Sequence, residues 1–400
     1  MKIVQINLGL YGSTAKVMLG IEQAATSHQF KFVYPELSIN MKNHDQDILI
    51  KGIISRKVNH FLEKVTGYQG CFSYFKTIHI LKQIKKFDPD IIHLHNIHCI
   101  NINYNLLFRY IKKNKIKTIW TLHDCWSFTG QCPHFTLIDC QKWQSGCHDC
   151  EQYREYPDAF VDRTKTMWKL KKKWFTSISD LTIVTPSIWL SNMVKKSYLQ
   201  NYPIKVINNG IDLAIFKPRK NNFKEQYHIQ NKHLILGVSF TWGIKKGLDV
   251  FNELAERLDD NYAIVLVGID SSISYLSNRI IAIEKTPNQI ELSKIYSAAD
   301  VFVNPTREEN YPTVNMEALA CGTPVITFDT GGSPEIIDQN CGRVVPVNNI
   351  DCLINEIVII CKQDQQQIMN SCLNRARSFD IKDKYQDYID LYESLKKGEG

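Results

Sequence analysis

Two carboxylates, Glu309 and Glu317, stand with seven residues between them in the stretch VFVNPTREENYPTVNMEALACGTPVITFDTGGSPEII, residues 301–337. Pro312 lies between the acids and suits the first turn of a helix, where its missing N–H costs nothing. The pattern predicts a helix over 313–321 that closes on Gly322. The unpaired N–H groups at such a helix start, on Thr313 and Val314, make a site for an anion such as a phosphate. Two acids beside a phosphate would repel it unless they hold hydroxyls, and sugar and ribose hydroxyls are the obvious donors. The stretch reads as a pocket for a phosphorylated sugar or a nucleotide sugar. Upstream, Lys246-Gly247 follows an apolar run, and a lysine there can reach a diphosphate as a flexible point charge.

These groups need a scaffold that presents loops at one edge. Residues 301–303 and 324–328 read as buried strands flanking the helix, Gly331-Gly332 as a turn, and Ser333-Pro334-Glu335 as the opening of another helix. Further apolar runs at 3–7, 90–95, 117–122, 181–186, 233–239 and 262–268 alternate with helical stretches, among them 15–25, 76–87, 105–113 and 248–258, and residues past 351 read as helical. The alternation predicts an α/β protein with parallel sheets, whose ligands bind outside the carboxyl ends of the strands. His123 falls at such an end, after the run at 117–122. Gly12 and Ser13 fall in the turn after the first strand, without the GxGxxG spacing of a dinucleotide fingerprint.

Four hundred residues suggest two domains, and the polar stretch 217–230 marks a boundary. No window approaches the roughly 18–20 apolar residues of a membrane span. Residues 2–7 are too polar for a signal-peptide core, so a cytoplasmic protein is expected. Residues 1–200 carry 27 Lys+Arg against 15 Asp+Glu, and residues 201–400 carry 21 against 26. The basic half implies an anionic partner. Basic runs at 76–86, 109–117 and 169–174, interleaved with aromatics, point to peripheral contact with an anionic membrane surface. No recognition motif accompanies the charge, so no nucleic-acid partner is expected.

Glu309, Glu317, the run Ala318-Leu319-Ala320-Cys321-Gly322-Thr323-Pro324-Val325 and Gly331-Gly332 together resemble the donor site of family 4 glycosyltransferases. DPDIIHLHN at 88–96, the His123-Asp124 pair and NGIDxxxFxP at 209–218 are similar to other parts of that family. The resemblance implies the GT-B fold, two Rossmann-like parallel-sheet domains facing across a cleft. It implies an acceptor domain over 1–217 with a Cys-rich insert at about 125–150, a donor domain over 218–378, and a helix over 379–400 crossing back to the first domain. It implies a retaining transfer from a nucleotide-sugar donor to a hydroxyl of a glycan or lipid-linked acceptor, in surface-polysaccharide synthesis, with no catalytic metal. The implied catalytic residues are His123, Lys246 and Glu309. The implied donor contacts are Gly12, Ser13, Lys246, Glu309, Asn310, Tyr311, Pro312, Thr313, Val314 and Glu317, with Glu309 on sugar hydroxyls and Glu317 on the ribose. The family pairs its lysine with an arginine five residues earlier, and here that position is Thr241. The alternatives are a sugar-nucleotide epimerase of the same fold and a non-catalytic glycan-binding subunit.

Twelve cysteines is a high count, and Cys125, Cys132, Cys140, Cys147 and Cys150 fall close together. In a reducing compartment disulfides are not expected. Cys147-x2-Cys150 has the spacing of a zinc knuckle, which Cys132 and Cys140 would complete as a structural four-thiolate site. An iron–sulfur cluster and buried free thiols are the alternatives.

Overall fold

Strands that are apolar along their whole length must be covered on both faces, which favours parallel sheets between helices. The computed structural model, which describes residues 1–36 and 47–397, has two such sheets. The first is built from β1 (Lys2–Ile6), β2 (Gln29–Pro35), β3 (Ile48–Ile50), β4 (Ile91–Leu94), β5 (Lys117–Thr121), β6 (Leu181–Thr185) and β7 (Ile204–Val206). Its order is β3-β2-β1-β4-β5-β6-β7, every pair parallel. The second is built from β8 (His233–Val238), β9 (Tyr262–Val267), β10 (Ile280–Ile283), β11 (Val301–Asn304), β12 (Val325–Phe328) and β13 (Gly342–Val345). Its order is β10-β9-β8-β11-β12-β13, again all parallel.

The chain divides into two compact units, Met1–Ile207 with Tyr385–Gly400, and Asn208–Lys384. In each sheet the chain winds outward one way and then returns to wind the other. The winding reverses between β1 and β4 in the first sheet and between β8 and β11 in the second. Ligands of open α/β sheets bind at such reversals, beyond the carboxyl ends of the strands.

In the first unit, the helix Ile381–Lys397 lays Tyr388, Leu391 and Tyr392 on one face of the sheet, against Ile3, Ile91, Ile119 and Val184. The second unit's core is continuous from Ile211 to Phe379. Its central β-strands are almost wholly buried.

The structure corrects two local expectations. Pro312 is the residue before the helix Thr313–Ala320, with φ −73° and ψ 116°, and not its first turn. Residues 333–336 make a single 3₁₀ turn and not the start of a longer helix. The guanidinium of Arg375 donates to the carbonyls of Ile336 at 2.7 Å and Glu335 at 2.6 Å. Arg375 so satisfies carbonyls that the end of a turn leaves without an intrahelical partner.

Candidate functional site

Lys246 follows β8 and Glu309 follows β11, so the two sit in the loops beyond the reversal of the second sheet. The loop after β8 tightens into a 3₁₀ turn, Ile244–Lys246, which Gly247 closes at φ +75°. A Cβ on Gly247 would meet the carbonyl oxygen of Pro305 at 2.6 Å, so only glycine lets the two loops approach. Arg307 fastens them. Its N–H donates to the Lys245 carbonyl at 2.9 Å. Its guanidinium donates to both carboxylate oxygens of Asp249, at 2.8 and 2.7 Å, to Asn348 Oδ1 at 2.7 Å and to the carbonyl of Ile244. Such a planar fork fixes geometry as well as charge.

The clamp sets two lysines opposite two glutamates. Lys246 Nζ is 2.6 Å from Glu309 Oε2, and Lys245 Nζ is 3.2 Å from Glu308 Oε2. The Glu308 side chain is almost fully buried, which only a close partner makes tolerable. Lys245, Lys246 and Arg307 thus face Asp249, Glu308 and Glu309, and the loops are charge-balanced by themselves. An anion placed beside these loops would therefore need further donors. The helix Thr313–Ala320 can supply them, since Pro312 gives its start no side-chain cap. The same helix carries Glu317, whose Oε2 accepts from the buried Tyr296 hydroxyl at 3.2 Å.

The glycine turn supports this arrangement from behind. Gly331 has φ +56°, and a Cβ on it would lie 1.9 Å from the carbonyl oxygen of Glu309. Gly332 N–H donates to the Asn310 carbonyl at 2.8 Å. Tyr311 is buried, and its carbonyl accepts from Asn209 Nδ2 at 3.4 Å. Buried Asn315 accepts from Asn304 Nδ2 at 2.8 Å, which ties the helix to the end of β11.

The expected residues of the first unit lie beyond its own strand ends. Gly12 opens the helix Gly12–Ala24 at φ +77°, with exposed Ser13 next to it. Asn7 braces this turn, donating to the Gly9 carbonyl at 2.8 Å and to Thr14 Oγ1 at 3.3 Å. His123 belongs to a hydrogen-bonded chain. Gln5 Nε2 donates to the Met18 carbonyl at 3.2 Å, so Gln5 Oε1 is left to accept from His95 Nε2 at 2.8 Å. His95 Nδ1 must then be unprotonated, and it accepts from His123 Nε2–H at 3.2 Å. His123 Nδ1 is thereby the acceptor nitrogen. Burial pushes His123 down to about 4, against the pull of Asp124, and burial also holds His95 well below the usual histidine range. Both imidazoles are neutral at neutral pH. Neighbouring His98 Nε2 lies 3.2 Å from Asp124 Oδ2.

Cys132, Cys140, Cys147 and Cys150 line one small cavity with Phe135, and Cys147 Sγ accepts from Gly130 N–H at 3.1 Å. Among the described residues, no three His, Cys, Asp or Glu side chains converge closely enough to hold a metal ion.

Sequence reasoning missed the roles of Arg307 and Gly247 in the contact between the loops and the pairing of Lys245 with Glu308. The first two could have been found, because a glycine after a lysine and an arginine beside the acid motif were both in view. The pairing could not, since its partners are 63 residues apart.

Family models match along most of the chain, "Glycosyltransferase Family 4" over residues 18–215 and "Glycosyl transferases group 1" over residues 232–363. A glycosyl transferase of colanic acid biosynthesis from Escherichia coli K12 is 24% identical, over 99% of this chain and 100% of its own. The UDP-Gal:alpha-D-GlcNAc-diphosphoundecaprenol alpha-1,3-galactosyltransferase of Escherichia coli is 27% identical, over 61% of this chain and 68% of its own. Among solved structures, Anabaena HepE in complex with UDP superposes with a TM-score of 0.70 at 14% identity, over 98% of this chain and 100% of that one. With two Rossmann-like parallel sheets and matches that span both units, the chain belongs to the family 4 glycosyltransferases and has the GT-B fold.

Proposed function

We propose that this glycosyltransferase moves a sugar from a nucleoside-diphosphate donor, bound beyond β8 and β11, to a hydroxyl of a lipid-linked glycan acceptor in surface-polysaccharide synthesis. The observation that carries the reading is the contact of Lys246 with Glu309 beside the uncapped start of the helix Thr313–Ala320. When the glycosidic bond breaks, negative charge grows on the leaving diphosphate. Lys246 and the N–H groups of Thr313 and Val314 are preorganised donors for that charge. Glu309 holds Lys246 in place before the donor arrives and then accepts from sugar hydroxyls. Glu317 takes the ribose, with Tyr296 fixing its carboxylate. Asn310, Tyr311 and Pro312 shape the loop between. Gly12 and Ser13 would contact the donor from the turn after β1. His123, uncharged at neutral pH, would meet the sugar from the end of β5. Retention needs no enzyme nucleophile in this scheme, and none is assigned: the bond from the anomeric carbon to the diphosphate breaks, the bond to the acceptor oxygen forms on the same face, and the leaving diphosphate takes the acceptor's proton.

The relatives named above support a lipid-linked acceptor: one is a diphosphoundecaprenol-directed galactosyltransferase. Such an acceptor sits at the cytoplasmic face of a membrane. Among the described residues no helix is long and apolar enough to cross one, so peripheral contact is the proposed mode. No observation favours the epimerase or the binding-subunit alternative.

A panel of nucleotide sugars tests the reading. One member should raise the melting temperature, because a ligand of the native state stabilises it by RT ln(1 + [L]/Kd). At one hundred times Kd the gain is about 2.7 kcal/mol. Absence of a shift from every uridine, guanosine, adenosine and thymidine diphosphate sugar at millimolar concentration would remove the donor site.

The Cys-rich insert is proposed as a structural zinc site through Cys132, Cys140, Cys147 and Cys150. Their shared cavity supports it, although side-chain rotation must bring the thiols to one point. The buried ammonium of Lys171 would help offset the charge of four thiolates. Purified protein should contain about one zinc per chain, and Cys147→Ser should lose it. Less than a tenth of an equivalent in the parent protein ends the proposal.

A further inference from the structure

A surface helix normally turns its apolar stripe inward. The helix Ile53–Thr66 does the reverse. None of its residues is buried, and its exposed apolar residues are Ile53, Ile54, Val58, Phe61 and Val65. Four of them, Ile54, Val58, Phe61 and Val65, recur at helical spacing and fall within an arc of about 60° at 100° per residue. Ile54 is 80% exposed and Phe61 60%.

The opposite side docks through polar groups. Asn59 Nδ2 donates to Ser73 Oγ and to Asn101 Oδ1, both at 2.7 Å. Glu63 Oε1 accepts from Gly70 N–H at 2.7 Å, and burial pushes its carboxyl up to about 7. Arg56 Nη1 donates to the Glu36 carbonyl at 3.2 Å. The fold therefore fixes this helix with its apolar face outward.

The apolar strip continues past both ends. Tyr74 and Phe75 are exposed next to Ser73, and Lys76 reaches back to Ser55. Phe160, also exposed, donates its N–H to the Lys64 carbonyl at 2.7 Å. Lys64 Nζ lies 5.1 Å from the centre of the Phe160 ring.

Charge identifies the occupant. Residues 51–79 contain Lys51, Arg56, Lys57, Lys64 and Lys76 against one carboxylate, Glu63, which is turned inward; beyond that stretch Asp158 pairs with Lys64. Lys57 and Lys64 follow one shoulder of the stripe at helical spacing. An apolar stripe with aromatic ends and a cationic border matches the interfacial zone of a bilayer with anionic headgroups, where each lysine is worth about 1 kcal/mol.

We propose that the helix Ile53–Thr66 lies in the plane of an anionic lipid leaflet, with Ile54, Val58, Phe61 and Val65 inserted and Lys57 at the headgroups. This deepens the peripheral-membrane part of the function proposed above and rests on that part alone, independently of the transfer chemistry.

The full chain is floated with vesicles of phosphatidylcholine alone and of phosphatidylcholine with phosphatidylglycerol. The parent protein should float with the anionic vesicles and be released by 0.5 M salt as far as its charges hold it. Phe61→Glu should lower the bound fraction at least tenfold, and Lys57→Glu should lower it severalfold. Retained donor-induced thermal stabilisation in both variants shows that they fold and that the donor site stands apart from this surface. Flotation of Phe61→Glu equal to that of the parent overturns the proposal, as does failure of the parent to float. A parent protein that dimerises in solution through this face, and becomes monomeric in Phe61→Glu without any lipid binding, overturns it in favour of a second copy of the chain.

Discussion

Lys246→Ala should lower kcat for glycosyl transfer by about 10²–10³-fold, with a much smaller change in melting temperature. That is the usual effect of removing one preorganised donor from developing charge. The Lys246 side chain is about one-third exposed and pairs only at the rim of its loop, so the fold depends on it little. The loss should appear in kcat and kcat/KM alike, because the charge that Lys246 meets is largest in the transition state. Lys246→Arg should recover part of the rate, since the cation returns in a different shape. Initial rates of nucleoside diphosphate release, with and without acceptor, measure both. Activity of the alanine variant within threefold of the parent would show that the diphosphate leaves from somewhere else.

Gly331→Ala should cost on the order of 2–5 kcal/mol and at least tenfold in activity. Two effects add. An alanine at φ +56° pays roughly 1–2 kcal/mol for its left-handed backbone. Its methyl would lie 1.9 Å from the Glu309 carbonyl oxygen, and backbone on both sides must shift to relieve it, at about 1–3 kcal/mol. The shift moves Glu309, and with it the partner of Lys246. At about 2–4 °C per kcal/mol for a unit of this size, the melting temperature should fall by about 4–20 °C. Gly332→Ala is the control, because Gly332 has φ −92°, a backbone conformation that alanine adopts freely. Equal behaviour of the two variants in thermal melts and in transfer assays would refute the contact between Gly331 and the acid loop as the cause.

Much of the fold was legible because parallel sheets announce themselves. Strands covered on both faces read as unbroken apolar runs, and β9, β11 and β12 stand where YAIVLV, VFV and PVITF predict them. The helix Thr313–Ala320 was equally plain, between Pro312 and Gly322 at φ +86°. What failed was set from afar. Two carbonyls of the turn at 333–336 are satisfied by Arg375, some forty residues on. The pairing of Lys246 with Glu309 depends on two loops meeting at a sheet reversal, which no local pattern records. The helix Ile53–Thr66 illustrates a different limit. Apolar periodicity tells that a helix has two unlike faces, and contacts such as Asn59 with Asn101 decide which of them points outward.

The tyrosines of the last helix carry one more consequence. Tyr388 and Tyr392 close over His93, whose ring nitrogens meet the Tyr392 hydroxyl at 2.6 Å and Thr121 Oγ1 at 2.8 Å. They belong to the first unit, yet the whole of Asn208–Lys384 is translated before them. At about 5–20 residues per second, a ribosome makes that stretch in roughly 10–35 seconds. During this interval the nascent first sheet stands with Ile3, Ile91, Ile119 and Val184 uncovered. The later-made half can mature before the earlier one, and chaperones that shield greasy β-surfaces would meet the chain at this stage of its synthesis.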